Sequence, residues 1–177
     1  MRICVYDLET TGFNANGSII LCAVVKEYGK NNHRVFRADN YKNWRKEKSD
    51  NSFLVKDLID YLEQFDIVIA HNGESFDKTF LNTKCIKYNI KPILRFKKSI
   101  DPVLSARRFL RMGRNSLQSL IDYFDIEYKK TPIEFSHWMK ASLDSNSKSM
   151  DVIVKHCVMD VKSLEKVYDK LRPLIDK

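Results

Sequence analysis

The sequence predicts an α/β fold with a mixed central sheet, in which three antiparallel strands come first and later strands alternate with flanking helices. Two observations predict this architecture. Apolar, β-branched runs dominate residues 3–39, whereas apolar side chains recur at helical spacing from Phe53 onward. A short apolar run at 66–70 then returns between helical segments, which is typical of a strand covered on both faces.

The first three predicted strands are closely connected. Residues 3–6 are followed by the loop chemistry of TTGFNANG and by a second apolar segment at 18–28. After the turn YGKNN, residues 33–39 are predicted as a third strand. Because the connections are short, we expect an antiparallel meander. Residues 40–52 are polar, basic and aromatic, and they are predicted to form a surface loop.

Helices dominate the rest of the chain. The strand at 66–70 follows the first helix, and a fifth strand is predicted after Pro92, within 91–101. A polar break, 144–150, precedes the last helix, whose predicted buried stripe is Val154, Val158, Val161, Leu164 and Val167. The predicted helices are 53–65, 75–89, 102–112, 116–124, 135–141 and 150–171.

Composition bounds the class of protein. The chain has 177 residues, of which 44% are hydrophobic, so we expect a single domain, 1–177, with its own core. The four cysteines are scattered without a C-x-x-C pair, which argues against a disulfide scaffold or a zinc knuckle. Neither a signal peptide nor a membrane span is predicted, and we expect a cytoplasmic protein.

Net charge indicates the kind of partner. The chain carries 31 basic and 23 acidic residues, for a formal charge of +8. Such a balance favours a polyanion, most simply nucleic acid, although a solubility charge on an unrelated enzyme is the alternative.

Two carboxylates end the first predicted strand. Asp7 and Glu9 are two residues apart and therefore share one face of a regular strand. Adjacent carboxylates repel each other and lose hydration, and a divalent cation between them is the usual remedy. The D-x-E triplet is common, however, and a solvated strand end explains these two residues equally well.

Two further motifs carry acids. In HNGESFD, a predicted strand leads into a turn, and Asp77 falls in the first turn of the next helix, where the macrodipole alone favours an acid. In HCVMD, His156 and Asp160 are four residues apart and share a face of the last helix. Together the motifs supply four carboxylates, and oxygen-rich clusters suit Mg²⁺ or Mn²⁺. Two such ions roughly 3.5–4 Å apart are the common apparatus for phosphodiester cleavage.

These motifs, in this order, resemble the DEDD superfamily of 3′–5′ exonucleases, which have the ribonuclease H-like fold. DLETTG is similar to its first motif, HNGESFD to its second and HCVMD to its third. Residues 100–124 resemble the corresponding stretch of polymerase-type proofreading domains and their stand-alone bacterial and phage relatives. The resemblance implies that two Mg²⁺ or Mn²⁺ ions are shared by Asp7, Glu9, Asp77 and Asp160. It implies hydrolysis from the 3′ end of single-stranded nucleic acid, with DNA favoured and RNA open.

His156 departs from the family pattern. The histidine branch of the family usually has four residues between the histidine and the last aspartate, and the tyrosine branch has a tyrosine with three between. Here three residues separate His156 from Asp160. Either His156 takes the place of the tyrosine and positions or deprotonates the attacking water, or it only lies nearby.

Candidate substrate contacts lie on both sides of these acids. The resemblance implies contacts from Thr10, Thr11 and Phe13, with the phenyl ring stacking on or wedging against terminal bases, and from Asn72 and Phe76 beside the terminal nucleotide. Helical spacing also predicts one basic face, suited to phosphates, unless it is an ordinary solvated face. The residues of that face are Arg107, Arg111 and Arg114.

Other functions remain compatible with the sequence. An endonuclease of the same fold, such as a ribonuclease H or a resolvase, also uses clustered carboxylates. A non-catalytic nucleic-acid-binding module would be marked by loss of one of the acids, and all four are present. The resemblance is also compatible with a partner protein, such as a polymerase or another replication or repair protein.

Overall fold

The computed structural model describes residues 1–92, 97–127, 133–143 and 147–175. Within these residues the sheet has five strands in the order β3-β2-β1-β4-β5. The strands are β1 Ile3–Thr10, β2 Ile20–Glu27, β3 His33–Arg37, β4 Ile67–Ile69 and β5 Lys98–Ile100. The helices are α1 Lys42–Lys46, α2 Ser52–Leu62, α3 Asp77–Lys87, α4 Pro102–Phe109, α5 Leu117–Tyr123, α6 Ser136–Leu143 and α7 Ser147–Ile175.

The sheet is mixed, and this confirms the predicted fold class. Strands β1, β2 and β3 pair antiparallel, whereas β4 pairs parallel to β1 and β5 pairs parallel to β4. β1 therefore lies at the centre, with the meander on one side and the parallel strands on the other. Its residues Cys4, Val5 and Tyr6 are all buried, because helices cover both faces of the sheet.

The long helix α7 packs across β1 and β2. Its buried face contains Ile153, Cys157, Val161 and Leu164, at the three- and four-residue spacing of an amphipathic helix. The buried face of α7 differs from the predicted stripe at its start, because Val154 and Val158 are only half-buried. The shift turns His156 and Asp160 toward the sheet, and both are buried.

The segment predicted as a surface loop, 40–52, is more ordered than expected. It contains α1, which follows a 3₁₀ turn at Ala38–Asn40. Trp44 is buried, because its indole joins the core beneath this short helix. Phe53, predicted on the apolar face of α2, is instead 55% exposed in the first helical turn.

Helix α4 is shorter than predicted. Its start follows the sequence, because the Asp101 side chain caps it by accepting from the Val103 N–H and Pro102 occupies the first turn. It ends at Phe109, since Leu110 is extended (φ −118°, ψ 153°) and packs against the core together with Met112. Arg111 and Arg114 therefore lie beyond the helix, and the helical face predicted for Arg107, Arg111 and Arg114 does not form.

Two predicted features lie only partly within the residues that the structure describes. Of the strand expected within 91–101, Lys98–Ile100 is observed, and residues 93–96 lie outside the described part of the chain. Of the polar break at 144–150, residues 144–146 lie outside the described part of the chain, and the rest belongs to α7.

None of the described helices has the length and apolar character required to cross a bilayer.

Candidate active site

Strand β1 brings Asp7 and Glu9 to the face that α7 covers. The Cys157 thiol donates to Asp7 Oδ2 at 3.3 Å, and His156 Nε2 lies 3.8 Å from Glu9 Oε1. The pairing of β1 with β2 becomes irregular between Glu9 and Thr10. The two carboxylates therefore lie at the last regular positions of the central strand.

Asp77 is the first residue of α3 and is buried against the same strand. Its Oδ1 accepts from the backbone N–H of Leu8, the residue between Asp7 and Glu9, at 3.1 Å. Burial raises the pKa of the Asp77 carboxyl well above its usual value, and the charge of Asp7 raises it further. The ionised form of Asp77 is thus costly in the protein alone, and a cation at this position would offset that cost.

Helix α7 supplies the remaining acid and the histidine. His156 Nε2 lies 3.8 Å from Asp160 Oδ2, one helical turn away, and the same distance from Glu9 Oε1. A distance of 3.8 Å is longer than a hydrogen bond, but it leaves the ring under the influence of both carboxylates. The imidazole therefore lies between an acid of the strand and an acid of the helix.

All four predicted metal-binding carboxylates line one cavity of about 380 Å³. The predicted contacts Thr10, Thr11, Phe13, Asn72 and Phe76 line it as well. His156 lies next to this lining rather than in it. None of the predicted arginines is among the described residues that line this cavity or the neighbouring one.

A tight turn after β4 fixes Asn72. Its backbone is left-handed (φ 61°), a conformation that asparagine adopts more readily than most residues. A Cβ at Gly73 would lie 2.4 Å from the Cβ of Ala70, so only glycine fits this position. Asp101 accepts from the N–H groups of Asn72 and Glu74, at 2.9 and 3.3 Å. This role of Asp101 was not predicted, although an aspartate before a proline is a recognisable helix-cap signal.

Phe13 and Phe76 form an aromatic pair at the rim. Their ring centroids are 6.2 Å apart in an edge-to-face arrangement, and Phe13 is 88% exposed. Both rings also line a second cavity of about 350 Å³, whose other described lining residues are Asn14, Ala15, Asn16, Ser75, Thr79, Phe80 and Thr83. The loop that carries Phe13 is held to α3 by Lys84, which donates to the Ser18 carbonyl at 2.5 Å. Burial lowers the pKa of Lys84 to about 8.

Two aromatic residues in and beside α6 line the site but were not predicted from the sequence. Phe135, just before α6, and Trp138 both line the larger cavity. The Trp138 indole N–H donates to Glu9 Oε2 at 3.2 Å. The local pattern predicts a helix here, but nothing in it indicates that Trp138 contacts Glu9 on β1, 129 residues earlier in the chain.

The donor atoms of the site fit a cation. Ligand atoms of Glu9, His156 and Asp160 lie within 4.8 Å of one another, and so do those of Asp7, Glu9 and Cys157. Carboxylate oxygens predominate in these groups, which is the donor chemistry of Mg²⁺ and Mn²⁺ rather than of zinc.

Comparison with known proteins agrees with this geometry. A family model of the RNase H superfamily matches residues 4–172, and the chain therefore belongs to this superfamily of nuclease-type hydrolases. The fold is similar to part of the family B DNA polymerase from the hyperthermophilic archaeon Pyrobaculum calidifontis, with a TM-score of 0.78 and 15% sequence identity. That match covers 98% of this chain and 25% of the polymerase chain. No curated protein matches the chain at the sequence level.

Proposed function

We propose that this chain is a 3′–5′ exonuclease that hydrolyses single-stranded nucleic acid with the help of two divalent cations, Mg²⁺ or Mn²⁺. One observation carries the proposal. Four carboxylates from β1, α3 and α7 line a single cavity, and an aromatic pair, the exposed Phe13 and the half-buried Phe76, lies at its rim. Membership of the RNase H superfamily supports hydrolysis of phosphodiesters, and the order of the three motifs supports the exonuclease branch.

The cations would be held by Asp7, Glu9, Asp77 and Asp160. Burial and the proximity of Asp7 disfavour a charged Asp77, which is the situation expected where positive charge is to be bound. Bound there, the cations supply the charge that activates the attacking water and stabilises the leaving oxygen. The carboxylates fix the position of that charge because each comes from a packed strand or helix.

His156 is the proposed proton acceptor. Its Nε2 lies 3.8 Å from both Glu9 and Asp160, so a water between these groups is within reach of the imidazole. A neutral imidazole is chemically suited to accept a proton near neutral pH.

The two cavities suit an unpaired end. Phe13 and Phe76 line both, so adjacent bases can lie on opposite sides of this aromatic pair. Bases reach such positions only when they are not paired in a duplex, and stacking on aromatic rings contributes about 1–3 kcal/mol per base without sequence readout. Thr10, Thr11 and Asn72 would contact the terminal nucleotide from the walls of the larger cavity.

Positive charge outside the cavities would guide the rest of the strand. Arg107, Arg111 and Arg114 remain part of the proposal as separate phosphate contacts rather than as one helical face. The net charge of +8 favours association with a polyanion. We propose a polymerase or another replication or repair protein as a partner, since part of a DNA polymerase chain has a similar fold.

A cleavage assay tests the proposal. Linear DNA and RNA oligonucleotides labelled at the 3′ or the 5′ end, and a circular single strand, are incubated with Mg²⁺, with Mn²⁺ or with a chelator. We expect a 5′-labelled strand to shorten one nucleotide at a time, the circle to survive, and the chelator to abolish hydrolysis. Cleavage of the circle would indicate an endonuclease, and binding without cleavage would indicate a non-catalytic module.

Asp160→Asn provides the inactive comparison, and Asp151→Asn is its matched control. Both aspartates lie on α7, but Asp151 is exposed and pairs with Arg37 at 2.7 Å. Only Asp160→Asn should lose hydrolysis. Equal activity of the two variants would contradict the proposed site.

A further inference from the structure

The side chain of Trp138 reaches the larger cavity from α6, which lies outside the three sequence motifs. It lines the larger cavity, and its indole N–H donates to Glu9 Oε2 at 3.2 Å. Glu9 and Trp138 are 129 residues apart in the chain, so this contact exists only in the folded protein.

The two oxygens of Glu9 have different surroundings. Oε2 accepts from Trp138, whereas Oε1 faces His156 Nε2 at 3.8 Å. An indole N–H is a donor only, so its bond to one oxygen restrains the rotation of the carboxylate. Oε1 is then the oxygen turned toward the imidazole and toward the position proposed for the cations.

The same tryptophan also contacts the histidine. The rings of Trp138 and His156 are edge to face, with centroids 6.2 Å apart and planes at 82°. One side chain therefore touches both the proposed cation ligand Glu9 and the proposed proton acceptor.

Helix α6 is held where this contact can form. His137 Nδ1 lies 3.2 Å from Ser149 Oγ in the first turns of α7, and Ala141 is buried against the core. At the other end of α6, Lys48 bonds to the carbonyl of Leu143. With both ends of the helix in contact with neighbouring segments, the indole is presented to Glu9 from a fixed position.

We infer that Trp138 is a positioning residue, which holds the Glu9 carboxylate in the orientation that binds a divalent cation. The inference rests on the proposed function, because it concerns the same cation site. Partners that orient a metal ligand typically affect metal affinity or activity by about 10–100-fold. Trp138 would act at this level, through Glu9 rather than on the substrate.

The second tryptophan of the chain supplies a matched control. Trp44 is buried, and its indole nitrogen has no hydrogen-bond partner among the described residues. Trp44→Phe and Trp138→Phe therefore make the same chemical change, the first without a hydrogen bond to lose and the second with the one to Glu9.

Calorimetric titration with Mn²⁺, without nucleic acid, is the first test. We expect Trp138→Phe to weaken Mn²⁺ binding about 10–100-fold and Trp44→Phe to leave it unchanged. In kinetics, Trp138→Phe should lower kcat at limiting Mn²⁺, recover it at excess Mn²⁺, and keep the KM for the oligonucleotide. Unchanged Mn²⁺ affinity would overturn the inference. Absence of Mn²⁺ binding in the wild-type protein would instead contradict the proposed function.

A fluorescence titration keeps the test decisive if Trp138→Phe folds poorly. The chain has two tryptophans, so in Trp44→Phe the emission comes from Trp138 alone. Paramagnetic Mn²⁺ bound beside Glu9 should quench this emission with the midpoint found by calorimetry. Mn²⁺ binding without quenching would show that the cation lies away from the Trp138–Glu9 contact, and it would overturn the inference.

Discussion

The larger cavity has two different sides, one acidic and one aromatic. On the acidic side, Asp77, His156 and Asp160 are buried on the ends or faces of packed helices. On the aromatic rim, Phe13 is 88% exposed and Phe135 is 66% exposed. Buried acids must be compensated, and exposed phenyl rings forgo the free energy of burial, so neither side is explained by stability alone. The acidic side is suited to fixing charge for a reaction, and the rim is suited to contact with a ligand that comes and goes.

The largest effect is expected on the acidic side, from Asp7→Ala. The change removes one of the four carboxylates proposed to hold the cations, and we expect hydrolysis to fall by about 10³-fold or more, as when the charge-stabilising groups of an active site are removed. The far-UV circular dichroism spectrum should not change, because the hydrogen bond that Asp7 accepts from the Cys157 thiol is weak. A time course on a labelled oligonucleotide measures the loss.

Asp60→Ala is the control for this substitution, since Asp60 is an exposed carboxylate on α2 that pairs with Lys56. It should retain wild-type turnover. Retention of more than a few per cent of activity by Asp7→Ala would remove Asp7 from the proposed site.

A smaller but still large effect is expected from His156→Ala. Loss of a positioned proton acceptor typically lowers the rate by about 10²–10⁴-fold, while the affinity for substrate stays near normal. Single-turnover rates and equilibrium binding of an oligonucleotide separate the two quantities. The exposed His33 on β3 gives the control variant, His33→Ala. If His156→Ala lost binding instead of rate, the histidine would be structural.

On the aromatic rim, the expected change is in affinity. Phe13→Ala should weaken binding of a single strand by about 5–150-fold, which corresponds to the 1–3 kcal/mol of one stacked base. Because Phe13 is exposed, its removal should leave Tm almost unchanged. Fluorescence anisotropy with a labelled oligonucleotide measures binding, with Phe53→Ala as a control at another exposed ring. Equal affinity of Phe13→Ala and the wild-type protein would argue against stacking at the rim.

The smallest effect is on stability and concerns Asp77. Its pKa is raised in the folded protein, so the folded state binds a proton more tightly than the unfolded state, and stability falls as pH rises toward that pKa. Asp77→Asn mimics the protonated form and can still accept from Leu8 N–H. Without divalent cations, it should raise Tm at pH 7–8, by about 2–4 °C for each kcal/mol by which burial and the charge of Asp7 disfavour the ionised carboxylate.

Thermal scans between pH 4 and pH 8 check this prediction. The gain from Asp77→Asn should shrink as the pH falls, because the wild-type carboxyl then becomes protonated as well. Added Mg²⁺ should stabilise the wild-type protein and not the variant, which reverses the order. A gain that does not depend on pH would show that ionisation of Asp77 is not its cause.

Much of the acidic side could be predicted from the sequence, because its geometry is local. A two-residue spacing on a strand places Asp7 and Glu9 together, and a four-residue spacing on a helix does the same for His156 and Asp160. The order of strands and helices likewise follows from periodicity, and the mixed sheet agrees with it.

Local patterns failed where packing competed with them. Trp44 lies in a polar, basic segment, yet its large apolar ring is buried, since that gain outweighs the polar surroundings. After Phe109, an extended backbone that packs Leu110 and Met112 against the core replaces the predicted continuation of α4. In both cases the residues that decide the outcome lie elsewhere in the chain.

The sequence by itself predicted which residues are candidates for the chemistry, and it determined which of them share a strand or a helix. Only the tertiary structure decided that Asp101 holds the turn containing Asn72, and that Trp138 reaches Glu9. The physical reason is separation along the chain. A repeat of two or 3.6 residues fixes neighbours on one element, whereas a contact between residues 129 positions apart depends on how whole elements pack.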